Sequence, residues 1–247
     1  MHIAAIVVAL LLSMTGAAAA QPPSPQASAS AAVAQLGGGE WQVYVNQQDS
    51  FTVNFPGQPR ISEITWQSQL GYMLPGRVYS AEKGKERFSV TVVDYRPLEA
   101  QGIARWKTCP PGNAQCRDGG ETIGPAYWKQ DERGAIAYAV AKYLKNPAYE
   151  VTDYAWDWQD MVEGHFIQLT NNADQSRTFA YVAMHQHRLY IVEGTVPRGY
   201  PQPGLFQQSL GWIDKDGNGI RYQDVVYSNA YHAMGVYPAP PYPIQGR

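Results

Sequence analysis

Alternation with a period of two is the feature that most constrains this chain. In "FTVNFP", Phe51, Val53 and Phe55 are apolar while Thr52 and Asn54 are polar, and Pro56–Gly57 ends the run. Side chains of a strand point to opposite faces in turn, so such a segment buries one face and leaves the other free. The same rhythm returns around Arg77–Ala81 and Phe88–Tyr95, across a Lys- and Gly-containing turn. Phe88, Val90 and Val92 fall on one face there, Ser89 and Thr91 on the other. Strands resume with "HFIQLTN", "RTFAYVAM" and "RLYIVEGTV", the last two joined through "MHQHR" at a hairpin tip.

Helical spacing interrupts the strands in three places. A short helix is expected from Leu98 to Lys107, ended by Cys109–Pro110–Pro111. A longer one is expected from Glu132 to Leu144, with Ile136, Ala139, Val140, Tyr143 and Leu144 on one side and Pro147 blocking continuation. "PGLFQQSL" predicts a third, with Leu205, Phe206, Ser209 and Leu210 inward. Strands, helix, strands and short helix, without regular βα alternation, imply an α+β fold: one antiparallel sheet packed with helices as a sandwich. No solenoid or propeller repeat is present.

The ends read differently. An apolar run from Ile3 to Leu12, followed by small residues up to Ala20, has the layout of a secretory signal peptide over 1–20. Residues 21–39 are uncharged Pro, Ser, Ala and Gly, the composition of a flexible linker. One domain is expected over 40–234, then a Pro/Tyr-rich tail over 235–247 that could extend along the domain or enter a partner's groove. Tyr227, Tyr231 and Tyr237 lead into that tail as a candidate sticky surface. The expected location is periplasmic or secreted, with no membrane span after cleavage. Net charge is −2 and only 16 % of residues are charged, which argues against nucleic acid as a partner. In an oxidising compartment the two cysteines, Cys109 and Cys116, are expected to close a loop as a disulfide.

Three stretches invite a chemical reading. "DKDGNGIRYQD" places Asp214, Asp216 and Asn218 at positions 1, 3 and 5 of a calcium loop, with Asp224 one place early for the last ligand. The same residue types build hairpin turns, since they tolerate positive φ, and strand-like residues flank them. The hairpin is the preferred reading, with no cofactor; a weak calcium-dependent module is the alternative. His165, His185 and His187 could together hold zinc or copper, although a hairpin tip is the ordinary place for polar residues. "DYAWDWQDMVEGH" sets Asp153, Asp157, Asp160 and Glu163 among Trp156 and Trp158. Converging carboxylates there would suit a glycan hydrolase, tryptophans alone would stack on sugars, and a plain strand and turn would do neither. No nucleophile elbow, zinc-protease helix, P-loop or dinucleotide motif is present.

"FTVNFPGQP", "FAYVAMHQHRLYIVEG" and "PGLFQQSL" together resemble the PsbP-like fold family, over roughly Trp41 to Trp212. That family includes extrinsic photosystem proteins and many exported bacterial proteins without assigned activity. The resemblance implies an antiparallel sheet between helices and a binding or assembly role, and carries over no catalytic residues. The Cys109–Cys116 insert and the tail after Trp212 depart from it. The expectation is therefore an exported, non-enzymatic binding or assembly protein of the cell envelope, whose partner is an envelope protein or a glycan.

Overall fold

The computed structural model describes residues 40–113 and 128–226. Eleven strands and three helices follow in order: β1 (Trp41–Asn46), β2 (Phe51–Pro56), β3 (Arg60–Gln67), β4 (Met73–Lys83), β5 (Glu86–Asp94), α1 (Leu98–Lys107), α2 (Trp128–Leu144), β6 (Tyr149–Gln159), β7 (Val162–Asn171), β8 (Arg177–His185), β9 (Arg188–Val196), α3 (Gly204–Gln207), β10 (Gly211–Ile213) and β11 (Gly219–Ile220). Among the described residues no helix is long and apolar enough to cross a membrane.

The strands form two antiparallel sheets. The larger runs β3-β4-β5-β9-β8-β7-β6 and the smaller β1-β2-β10-β11. This corrects the expected fold: instead of one sheet sandwiched by helices in the PsbP-like manner, a second sheet covers one face, and strand outweighs helix almost threefold, 50 % against 18 %. The physical reason lies in β2. Its inward Phe51, Val53 and Phe55 are fully buried, but against another sheet. Its own neighbours are β1 on one side and β10, from the other end of the chain, on the other. The expected disulfide falls only partly within the described residues. Cys109 follows α1 and is not a free cysteine, and its expected partner Cys116 lies outside the described residues.

Two cores result, one on each face of the large sheet. Between the sheets, Phe51, Val53, Phe55 and Trp212 meet Tyr79, Phe88, Val90, Val92, Tyr181, Tyr190 and Val192. Edge-to-face pairs such as Phe51–Tyr79 and Tyr190–Trp212, with centroids 5.1 and 4.9 Å apart, each add about 0.5–1.5 kcal/mol beyond their burial. On the other face α1 and α2 lay Leu98, Ala135, Ile136, Ala139 and Val140 against Val93, Ile167, Leu169, Val182, Leu189 and Ile191. β8 and β9 are covered on both faces and are therefore buried almost without interruption.

The expected helix positions hold, with two changes of face. Leu144 at the end of α2 and Leu205 in α3 are exposed, whereas Ile136, Ala139, Val140, Phe206 and Leu210 point inward. The connection from β5 through α1 and α2 crosses the helical face, so β6 joins the large sheet at its far edge. The expected signal peptide, linker and tail, with Tyr227, Tyr231 and Tyr237, lie outside the described residues.

Candidate interaction surface

β6 and β7 are joined by the two-residue turn Asp160–Met161, with φ of 47° and 66°. Two left-handed residues match the twist of the flanking strands, so the hairpin stays in register. That register sets Tyr154 opposite Ile167, Trp156 opposite His165, and Trp158 opposite Glu163. Since His165 pairs onward with Val182 and Ile167 belongs to the helix-side core, Tyr154, Trp156 and Trp158 share the helix-side face. α2 packs on β7 and β8. The face of β6 stays open: Trp156 is 63 % exposed, Trp158 48 % and Tyr154 44 %.

His165 organises this row. Its Nδ1 lies 2.6 Å from the Tyr154 hydroxyl, and its ring stands 5.7 Å from that of Trp156, tilted by 31°. Partial burial lowers the His165 pKa against the opposing pull of Glu163. A neutral imidazole with Nδ1 unprotonated accepts a hydrogen bond from the Tyr154 hydroxyl, which holds the ring beside Trp156. The result is an exposed aromatic row on the helix-side face of β6.

The carboxylates of the same stretch do not converge. Asp157 stands opposite Gly164 and Glu163 opposite Trp158, so strand alternation sends the two to opposite faces. Asp153 shares the face of Asp157 but lies four residues, about 13 Å, along the strand. Asp160 sits in the turn, where burial raises its pKa and the charge of Arg221 opposes the rise. Glycoside hydrolysis needs two carboxyls about 5–9.5 Å apart, flanking one bond. The Asp157–Glu163 pair does not supply that arrangement.

Nor are the histidines together. His165 is on the helix side. His185 is 3 % exposed on the inter-sheet side, its ring 4.2 Å from Trp212 and its Nε2 2.7 Å from the Tyr222 hydroxyl. His187 is at the tip of the β8–β9 hairpin, its Nδ1 2.6 Å from Glu132 of α2. Among the described residues no group of three or more His, Cys, Asp or Glu could hold a metal ion.

The loop between β10 and β11 is a hairpin turn. Gly217 N–H donates to Asp214 O at 3.0 Å, Asp214 N–H donates to Asn218 O at 2.8 Å, and Gly217 takes a φ of 81°. That is a tight turn followed by a left-handed glycine. The Asp214 carboxylate accepts the backbone N–H groups of Asp216 and Asn218, at 2.9 and 2.8 Å. Lys215 Nζ lies 3.0 Å from both oxygens of Asp216. Asp224 follows β11 and stands outside this bonded loop.

One cluster had no sequence signature. Asp49, fully buried in the β1–β2 turn, accepts Arg77 Nε at 2.7 Å, a second bond from the same guanidinium, and Tyr79 Oη at 2.5 Å. Its backbone oxygen takes Tyr190 Oη at 2.6 Å, and Ser50 beside it has a φ of 57°. The cluster ties the small sheet to the large one. A 540 Å³ cleft at the opposite end is open and of mixed charge, with Lys85, Arg87 and Arg198 beside Glu82 and Asp174. No family model matches the chain, and a search of curated proteins gives no match.

Proposed function

We propose that this chain is an exported, non-enzymatic binding or assembly module of the cell envelope, and that it meets its partner through the open aromatic face of β6. One observation carries the reading: three large aromatic side chains stand in a row, exposed, on one edge strand of the large sheet. Exposed apolar patches of this kind are costly to keep soluble, and they mark contact surfaces. The separation of Asp157 from Glu163 favours contact over hydrolysis. Export rests on the leader-like segment before Gln21.

The test is a photo-crosslinking amino acid placed at Trp156 in the native cell, with the same residue at exposed Ile61 on the opposite edge of the sheet as control. A discrete adduct at position 156 that is missing at 61 supports the reading. No adduct, or the same adducts at both positions, rejects it.

A further inference from the structure

We propose that the outer edge of β6 receives an extended peptide in which basic and apolar residues alternate, adding it to the large sheet as a further strand. The proposal rests on the reading of β6 as the contact surface and names the chemistry of what binds there.

The argument begins with the backbone. β6 is 11 residues long and ends the sheet, and among the described residues no strand pairs with its outer side. Strand edges are templates for further pairing, and proteins usually shorten, bulge or cover them. Here the single irregularity lies between Val151 and Asp153, which leaves Asp153 to Gln159 in regular register. Main-chain groups along that length can bond an incoming strand, as in recognition by strand addition.

Side chains then set which strand fits. The regular segment is two-faced. Tyr154, Trp156 and Trp158 line the helix side; Asp153 and Asp157 line the other, and Glu150 continues the acidic row before the irregularity. None of these three carboxylates forms an ion pair among the described residues; Asp157 accepts only the backbone N–H of Trp158, at 2.8 Å. A neighbouring strand sets its residues directly opposite those of β6, face by face. Lysine or arginine on one face and aliphatic or aromatic residues on the other complement both rows at once. A second copy of this chain pairing through β6 would bring acidic rows together, which cross-strand pairing disfavours. A glycan could use the tryptophans but leaves both the acidic row and the main-chain edge unused.

The probe is a nine-residue peptide alternating Lys and Val, titrated into the full chain while tryptophan fluorescence and backbone hydrogen exchange are followed. Three controls accompany it: the same composition with all Lys at one end, a Glu–Val alternation, and the Lys–Val peptide with alternate backbone nitrogens methylated. The expected result is binding of the first peptide alone, with new protection of β6 amides. Combining Asp153→Asn with Asp157→Asn should weaken it about tenfold at low salt, as should Trp156→Ala, with thermal stability little changed because Asp153 and Trp156 are exposed and Asp157 only half-buried. Equal binding of the block or methylated peptides would overturn strand addition, since charge alone would then suffice. So would pairing of two copies through β6, or occupation of the tryptophans by a soluble β-linked oligosaccharide in place of the peptide. If no peptide binds while a crosslinker at position 156 still captures a partner, this inference fails and the surface reading stands. If both fail, the surface reading falls with it.

Discussion

Asp49 shows what a single residue does here that no local pattern announces. Its partners Tyr79 and Tyr190 lie 30 and 141 residues away in the chain, so nothing in "NQQDS" marks it as buried. The two-bond contact with Arg77 is met by a desolvated carboxylate, and removing one member leaves a charge in an apolar interior. Arg77→Met should therefore cost about 3–5 kcal/mol in denaturant unfolding, whereas Arg77→Met combined with Asp49→Asn should cost clearly less. Equal losses in the single and double variants would show that the pair is not coupled. Gly164 is a second such residue. A Cβ there would stand 2.5 Å from the Tyr181 ring, whose hydroxyl donates to Val162 O at 2.7 Å. Both are packed under the small sheet, so Gly164→Ala must displace a buried ring. It should destabilise by about 1–3 kcal/mol, and Gly164→Ala in a Tyr181→Phe background should not recover it, because the clash is with the ring. Full recovery on loss of the hydroxyl would point to the hydrogen bond instead.

Elements whose cues are local were legible; those built by distant partners were not. Period-two alternation found β2 and β5, and helical spacing found α1 and α2, because burial of one face writes itself into adjacent residues; β8 and β9, covered on both faces, showed instead as nearly continuous apolar runs. β3, "RISEITWQ", is an exposed edge whose alternation is blurred, and the pairing of β2 with β10 joins opposite ends of the fold. Neither leaves a local trace, which is why a second sheet was mistaken for helical cover. The aromatic row of β6 was readable as residues, but its exposure depends on which strands α2 covers, and this only the packing decides. The segment after Trp212 is the instructive case. Its composition suits two backbones, and the turn forms because Asp214 binds the loop's own N–H groups while Lys215 occupies Asp216. In that geometry millimolar calcium should leave the melting temperature unchanged, and Asp214→Ala should lower it with or without calcium. A calcium-induced rise that Asp214→Asn removes, and that magnesium does not reproduce, would replace the hairpin with a metal loop; saturation a hundredfold above the dissociation constant would stabilise by about 2.7 kcal/mol.

For the whole molecule, the two sheets and the helical layer meet at the end where the β1–β2, β6–β7 and β8–β9 turns lie, and there two histidines of opposite character connect the layers. His185 sits between the sheets, and burial first, the Arg188 charge second, push its pKa down to about 3. His187 reaches α2, and its hydrogen bond with Glu132 raises its pKa despite partial burial. Linkage gives the two opposite signs. Between pH 6.5 and about 3 the unfolded chain binds a proton at position 185 that the folded chain refuses, so stability falls as pH falls. At position 187 the folded chain holds its proton longer, so that contribution is complete below pH 6.5 and is lost as pH rises through the raised value. Other acids, the buried Asp131 and the half-buried Glu193 among them, have pKa values raised by desolvation and work against the His185 loss on the acid side. The difference between variants isolates each histidine from that background. Relative to His185→Phe, the wild-type chain should lose about 1.4 kcal/mol of unfolding free energy for each pH unit between about 6 and 3, whatever the absolute stabilities. Relative to His187→Gln, it should lose its advantage as pH rises above 6.5 and through the raised value, a limb that His185→Phe leaves intact. Parallel acid limbs for wild type and His185→Phe would mean that the imidazole between the sheets is protonated in the folded state. The contact between the sheets would then be open to water at the end where Trp212 closes it.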